Sequence, residues 1–342
     1  MASLLDSEIH SQPEVLARLL ERETPRVGRI VAQLPAFSYA LIAARGTSDH
    51  AAAYAKYAWA ALAGYPVALA TPALHTLYNR PPRMDGALVV GVSQSGQSPD
   101  IVAVLEEAKR QGRPTLAITN DGASPLASAA DHVVELHAGA ERSVAATKTY
   151  TAQLTVMALL ATALSGSGQD ELKGLPGAVA ATLSGAAGVA QRAERYRYME
   201  QCVVVGRGYN LATAFELALK LKELTYIMST AYSSADFRHG PIAAVYDGLP
   251  VILVMPGGAT FEDMRNLAQE LQARDAELVI ISEAEAAQSL ATTPLPLAAS
   301  VPEWLSPITA IVPGQLLALH LALAKGLDPD APRGLKKVTR TL

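Results

Sequence analysis

One cysteine, four phenylalanines and two tryptophans in 342 residues leave this chain poor in the residues that staple or stack. The lone Cys202 sits in an apolar, strand-like run, so no disulfide framework is expected. Seven histidines are scattered with no H-x-x-x-H spacing, and C-x-x-C is impossible with one cysteine, so no metal ligands are expected. Basic charge is also scarce: 28 Lys and Arg stand against 32 Asp and Glu, for a net charge of -4. Without a basic stripe, nucleic acid is not an expected partner. No G-x-G-x-x-G and no Walker lysine are present, which argues against dinucleotides and nucleoside triphosphates. The longest apolar stretch read from the sequence, Leu154 to Leu164, includes two threonines and is too short to cross a bilayer. The amino terminus, "MASLLDSEIHSQPEVL", is acidic and lacks a leader pattern. A cytoplasmic protein with no membrane partner is the expectation.

What the chain does have is short aliphatic runs alternating with helical patterns. "SYALIAA" (38–44), "GALVVGV" (86–92), "PTLAITN" (114–120) and "HVVEL" (132–136) read as buried strands, with helices over 48–63 and 99–111 between them. Near-continuous Val, Ile, Leu and Ala content marks strands of a parallel sheet covered on both faces. The pattern predicts a doubly wound α/β fold.

The second half repeats the first at one offset. Arg45-Gly46 recurs as Arg207-Gly208, "DGALVVGV" from Asp85 as "DGLPVILV" from Asp247, and "TLAITN" from Thr115 as "ELVIIS" from Glu277, each 162 positions on. Two lobes related by internal duplication follow. The expected boundaries are a helical segment 1–35, a first lobe 36–165, a helical connection 166–196 that opens on a loop (165–177), a second lobe 197–325 and a tail 326–342.

The repeat isolates the chemistry of "GVSQSGQSPD" (91–100). At the same offset Ser93 becomes Met255, Ser95 becomes Gly257 and Ser98 becomes Thr260, so the fold itself does not need the serines. Ser98-Pro99 reads as an N-cap and first helical residue. A strand-to-helix loop gathers backbone N–H groups and the positive end of the helix dipole at one spot. With Ser93, Gln94, Ser95 and Ser98 added, that spot suits a phosphate monoester. A capped turn with solvated serines is the plain alternative. Asp100 counts against an anion unless it points away. "RGTSDH" (45–50) is a second such junction, where Thr47 and Ser48 face the same crevice or simply cap the helix.

On the helical pattern 212–228, Glu216, Lys220 and Glu223 share one face flanked by leucines. A solvated ion pair is the plain reading. Partial burial instead suits a general base, because a desolvated carboxylate tends to a raised pKa. His239, before Gly-Pro in a loop, is a modest functional hint. The tail "DPDAPRGLKKVTRTL" (328–342) is polar and proline-broken, and by composition is expected to be a disordered end.

Together "EIHSQP", "RGTSDH", "SQSGQSPD", "SVAATKTYTAQL", "ALKLKELTYI", "RHGP" and "APRGLKKVT" resemble, in order and over nearly the whole chain, the double sugar isomerase (SIS) domain family. The chain looks like the isomerase half of glucosamine-6-phosphate synthases and, in "SSADFRHGP" and "VAATKTY", more like stand-alone deaminases of the family. The resemblance implies two flavodoxin-like SIS lobes, no cofactor, and a phosphorylated amino sugar or hexose phosphate as ligand. It implies that Thr47, Ser48, Ser93, Gln94, Ser95 and Ser98 hold the phosphate and that Val144 and Thr147 border the sugar. Glu223 would move a proton between C1 and C2, with Glu216 and Lys220 shaping the pocket. His239 would open the ring from the neighbouring subunit of a homodimer, and Lys337, on an ordered tail, would engage the open-chain sugar. The chain starts Met1-Ala2-Ser3, without the amino-terminal cysteine of a glutaminase, so glutamine is not expected as ammonia donor. The implied reaction is conversion of glucosamine 6-phosphate to fructose 6-phosphate and ammonia. Galactosamine-6-phosphate deamination, sugar-phosphate deglycation and plain phosphosugar isomerisation are the alternatives of the same class. A non-catalytic sugar-phosphate sensor is the alternative of another.

Overall fold

The computed structural model describes residues 3–337, and it resolves into two compact units. The first comprises residues 14–141 and 148–173 with Lys336 and Lys337 of the tail; the second comprises residues 3–13, 142–147 and 174–335.

In the first unit, β1 (Tyr39–Ala43), β2 (Val67–Leu69), β3 (Ala87–Val92), β4 (Thr115–Thr119) and β5 (His132–Glu135) form one sheet in the order β2-β1-β3-β4-β5. Every pairing is parallel. The central β3 and β4 are buried at every position, which is why they read so clearly as aliphatic runs. The short β2 escaped the sequence reading, because three apolar residues, Val67-Ala68-Leu69, are too few to mark a strand and are not fully buried. Helix Thr47–Ala63 packs on helix Lys148–Ser165, and the Trp59 indole N–H donates to the Met157 carbonyl at 2.9 Å.

The second unit repeats the topology. β6 (Gln201–Gly206), β7 (Met228–Ser233), β8 (Pro250–Val254), β9 (Glu277–Ser282) and β10 (Thr293–Pro296) run in the order β7-β6-β8-β9-β10, again all parallel. Helix Leu211–Thr225 packs on helix Ser306–Ala324. Gly314 permits the close approach, since a Cβ there would lie 2.9 Å from a methyl of Leu217.

Three sequence readings change. The helix expected to reach residue 228 stops at Thr225, because Tyr226 turns left-handed (φ 61°) and Met228 opens β7. The stretch 165–177, expected as a loop, contains a 3₁₀ turn Gln169–Gly174 and the start of helix Leu175–Gly185. Among the described residues one segment is long and apolar enough to cross a membrane, and it is not Leu154–Leu164 but the 22 residues Glu303–Ala324, of which 83% of the most apolar window is buried inside the protein.

Candidate active site

In each sheet the strand order reverses where two neighbouring strands send their connections to opposite faces, and ligands of doubly wound sheets bind at the carboxyl ends of such strands. In the first unit these are β1 and β3. The loop after β1 carries Thr47 and Ser48, and the loop after β3 carries Ser93, Gln94, Ser95 and Ser98. The residue entering helix Thr47–Ala63 is Gly46 (φ 54°), so neither Thr47 nor Ser48 is the N-cap. The buried Ser48 hydroxyl accepts from Gln153 Nε2 at 3.0 Å.

Ser98 occupies the N-cap of helix Pro99–Arg110 but makes no side-chain cap hydrogen bond. Its hydroxyl instead meets that of Ser93 at 3.3 Å. Ser93 Oγ accepts from Gly96 N–H at 3.2 Å, and Ser95 Oγ from Gln97 N–H at 3.3 Å. Gln94 pins the loop through its carbonyl, which accepts from Asn120 N–H at 3.1 Å. Gly96 has φ 62°, and a Cβ on it would overlap the Ser124 hydroxyl, so the turn requires glycine. The loop therefore offers hydroxyls beside a helix start whose N-cap side chain takes none of its N–H groups, while Asp100 Oδ1 accepts from Ile101 N–H at 3.0 Å.

Asp100 does not oppose an anion here. It is fully buried and Arg45 Nε donates to it at 2.8 Å. A desolvated carboxylate needs such a partner, and the pair joins the loop after β1 to the helix after β3.

In the second unit, helix Leu211–Thr225 presents Glu216, Lys220 and Glu223 on one face. Lys220 Nζ donates to Glu223 Oε2 at 2.6 Å and lies 3.3 Å from Glu216 Oε1. The solvated-face reading fails: the side chains of Lys220 and Glu216 are 1% and 0% exposed, and that of Glu223 is 22% exposed. Burial alone would lower the Lys220 pKa. The attraction of Glu216 and Glu223 outweighs it and holds the ammonium above the ordinary lysine range. Glu223 is thus a partly accessible carboxylate fixed by a buried cation, rather than an isolated carboxylate in an apolar pocket.

Val144 is partly buried and Thr147 is buried in the segment 142–147 of this unit. His239 ends helix Ser234–Arg238 with an exposed side chain. Its backbone N–H donates to the Asp236 carbonyl at 3.1 Å.

The tail is tied down, against the expectation of disorder. The Asp330 carboxylate accepts from Leu4 N–H and Leu5 N–H at 2.8 and 2.9 Å. The Arg333 guanidinium lies 4.2 Å from the Tyr226 ring centroid. In the first unit, Lys337 Nζ donates to Glu141 Oε2 at 2.7 Å. Residues 338–342 of the expected tail lie outside the described residues. Glu141, buried and missed by sequence reasoning, also accepts from Thr149 N–H and Oγ1 at 3.1 and 2.7 Å. A cavity of about 710 Å³ lies elsewhere, at the amino ends of β6, β8 and β9 beside Arg195 and Tyr246.

The profile of the SIS domain matches residues 39–163 and 197–325, one copy over each sheet. The chain belongs to the SIS domain family. It is 34% identical over 342 residues to the glutamine–fructose-6-phosphate aminotransferase (isomerizing) of Thermococcus kodakarensis, covering 96% of this chain and 56% of that protein. The chain thus spans little more than half the length of the curated relatives it matches. Among solved structures, the C-terminal domain of glucosamine-fructose-6-phosphate aminotransferase from Francisella tularensis superposes with a TM-score of 0.88 at 27% identity, covering 97% of this chain and 99% of that one. A protein of Silicibacter pomeroyi DSS-3, provisionally described as a phosphosugar isomerase, gives 0.84 at 33% identity, covering 96% and 100%.

Proposed function

We propose that this SIS protein moves a proton between C1 and C2 of a phosphosugar, and that its substrate is glucosamine 6-phosphate, converted to fructose 6-phosphate and ammonia. The observation that carries the reading is the Lys220–Glu223 pair: a carboxylate held in place by a buried ammonium and still partly open to a ligand.

In this reading the phosphate is held by Ser93, Ser95 and Ser98 with the N–H groups of their loop, aided by Gln94, Thr47 and Ser48. That remote grip positions C1 and C2. His239, exposed on its loop, assists ring opening in a partner copy of a homodimer. Val144 and Thr147 border the open chain and Lys337 engages it. Glu223 removes the C2 proton of the open aldehyde, giving an enolamine, and returns a proton to C1. C2 is then an imine. Water adds to it, the C2–N bond breaks, and ammonia leaves with fructose 6-phosphate as the other product. Lys220 and Glu216 keep the Glu223 side chain in one rotamer through the cycle.

A second reading stops at the proton transfer. The Silicibacter pomeroyi likeness, which spans both chains almost fully, favours plain aldose–ketose isomerisation. Proton NMR in D₂O separates the possibilities. Solvent deuterium entering C1 with loss of the amino group supports deamination. Deuterium entering C1 of fructose 6-phosphate made from glucose 6-phosphate, with amino sugars untouched, supports the second reading. No exchange from any hexose phosphate removes Glu223 from the role of base.

A further inference from the structure

The internal repeat places a glutamate at one register in both halves. Glu141 follows β5 and Glu303 follows β10, separated by the same 162 positions as the arginine-glycine pairs, and Gln153 and Gln315 continue the match. The two carboxylates hold different things.

Glu303 sits on the loop 255–260, the counterpart of the serine loop. Its Oε2 accepts from Ala259 N–H at 2.8 Å, and its Oε1 from Thr260 N–H and Thr260 Oγ1 at 3.3 and 3.1 Å. Thr260 is the residue equivalent to Ser98 and enters the 12-residue helix Phe261–Gln272. A Cβ on Gly258 would overlap the Glu303 carboxyl, so the glycine is what lets the side chain reach the loop. Glu303 is also held from its own backbone: Ser306 Oγ donates to its carbonyl at 2.6 Å, and Asn210 Nδ2 donates to Ser306 Oγ at 2.7 Å. A second carboxylate, Glu283, accepts from Gly257 N–H at 2.9 Å. Glu141, in contrast, commits its carboxylate to Thr149 and Lys337, and the serine loop's own hydroxyls take the N–H groups of Gly96 and Gln97.

We propose that Glu303 is a built-in anion, filling in the second unit the position that a substrate phosphate takes in the first, and so limiting the chain to one phosphate. The inference rests on the reading of the serine loop as the phosphate site. A side chain tethered nearby meets these donors without the entropy cost of binding a free anion. It keeps the second loop closed whatever the phosphate concentration. The duplicated fold thereby retains one binding loop and converts the other into an internal brace.

The test is the stoichiometry of inorganic phosphate, measured by calorimetric titration of the full chain and of Glu303→Ala. The proposal expects one more phosphate per chain in the variant than in the unsubstituted protein, and expects acetate, which matches the deleted carboxylate, to compete for the added phosphate alone. Glu303→Ser, which keeps a hydroxyl near the helix start, serves if the alanine variant does not fold, with the same gain expected. Equal stoichiometry in folded variant and parent overturns the proposal. Absence of phosphate uptake by the parent refutes the serine-loop reading, while the difference between variant and parent still decides the role of Glu303.

Discussion

Lys220 Nζ stands 2.6 Å from Glu223 and 3.3 Å from Glu216, with the lysine and Glu216 both buried. One cation therefore serves two carboxylates, one sealed and one partly accessible. Glu223→Gln preserves the shape of the side chain and removes its basicity. Turnover should fall by about 10²–10⁴-fold, with a smaller loss in thermal midpoint, because the buried Lys220 then keeps only Glu216 as a charged partner. Steady-state kinetics alongside thermal unfolding checks both.

Removing the cation acts on stability instead. Lys220→Ala leaves Glu216 as an uncompensated buried charge, and the loss should be about 3–5 kcal/mol. Adding Glu216→Ala should recover part of it, since the two residues interact directly. Urea unfolding of the single and double variants measures the coupling. The pH dependence follows from the raised Lys220 pKa. The contribution is fully present below the ordinary lysine value of 10.5 and is lost only as pH rises through the higher folded value. The urea midpoint of the parent should therefore lose no stability from this group between neutral pH and pH of about 10.

The Arg45–Asp100 pair predicts an electrostatic effect on the serine loop. Arg45→Ala exposes Ser93 and Ser98 to an unscreened negative charge, and phosphosugar affinity should fall roughly tenfold or more. Asp100→Asn in the same chain should restore most of it. Titration of both variants with glucosamine 6-phosphate decides whether charge or packing is responsible.

Cys202 gives a probe of global unfolding. Burial pushes its thiol pKa up to about 12, with Lys222 only partly offsetting the effect. The thiolate is the reactive form. A disulfide reagent at mildly alkaline pH should leave the native protein unmodified and label it at the rate of unfolding in urea.

The Lys337–Glu141 contact predicts how the tail is anchored. Glu141→Ala should increase amine labelling of Lys337 and tryptic cleavage after Lys336 and Lys337 several-fold at native pH. Unchanged protection would place the anchor elsewhere along the tail.

The legible and illegible parts of this sequence divide on physical grounds. β3 and β4 were plain because a strand buried on both faces must be aliphatic throughout. β2 was silent because Val67-Ala68-Leu69, though aliphatic, is too short a run to stand out. The serine loop stood out through the duplication, which showed the same turn built without serines. Asp100 read as an objection because its partner Arg45 is 55 residues away. Glu141 carried no local signal, as its partners Thr149 and Lys337 meet it only through folding. The tail misled for the same reason: polar, proline-broken composition describes solvent preference, while Asp330, Arg333 and Lys337 each have specific partners.

The measurement that bears most directly on the account is ammonia release, coupled to glutamate dehydrogenase, with glucosamine 6-phosphate and galactosamine 6-phosphate side by side. The account predicts rapid release from glucosamine 6-phosphate, slowed about 10²–10⁴-fold by Glu223→Gln. No ammonia from either sugar, with binding still detectable, would contradict it.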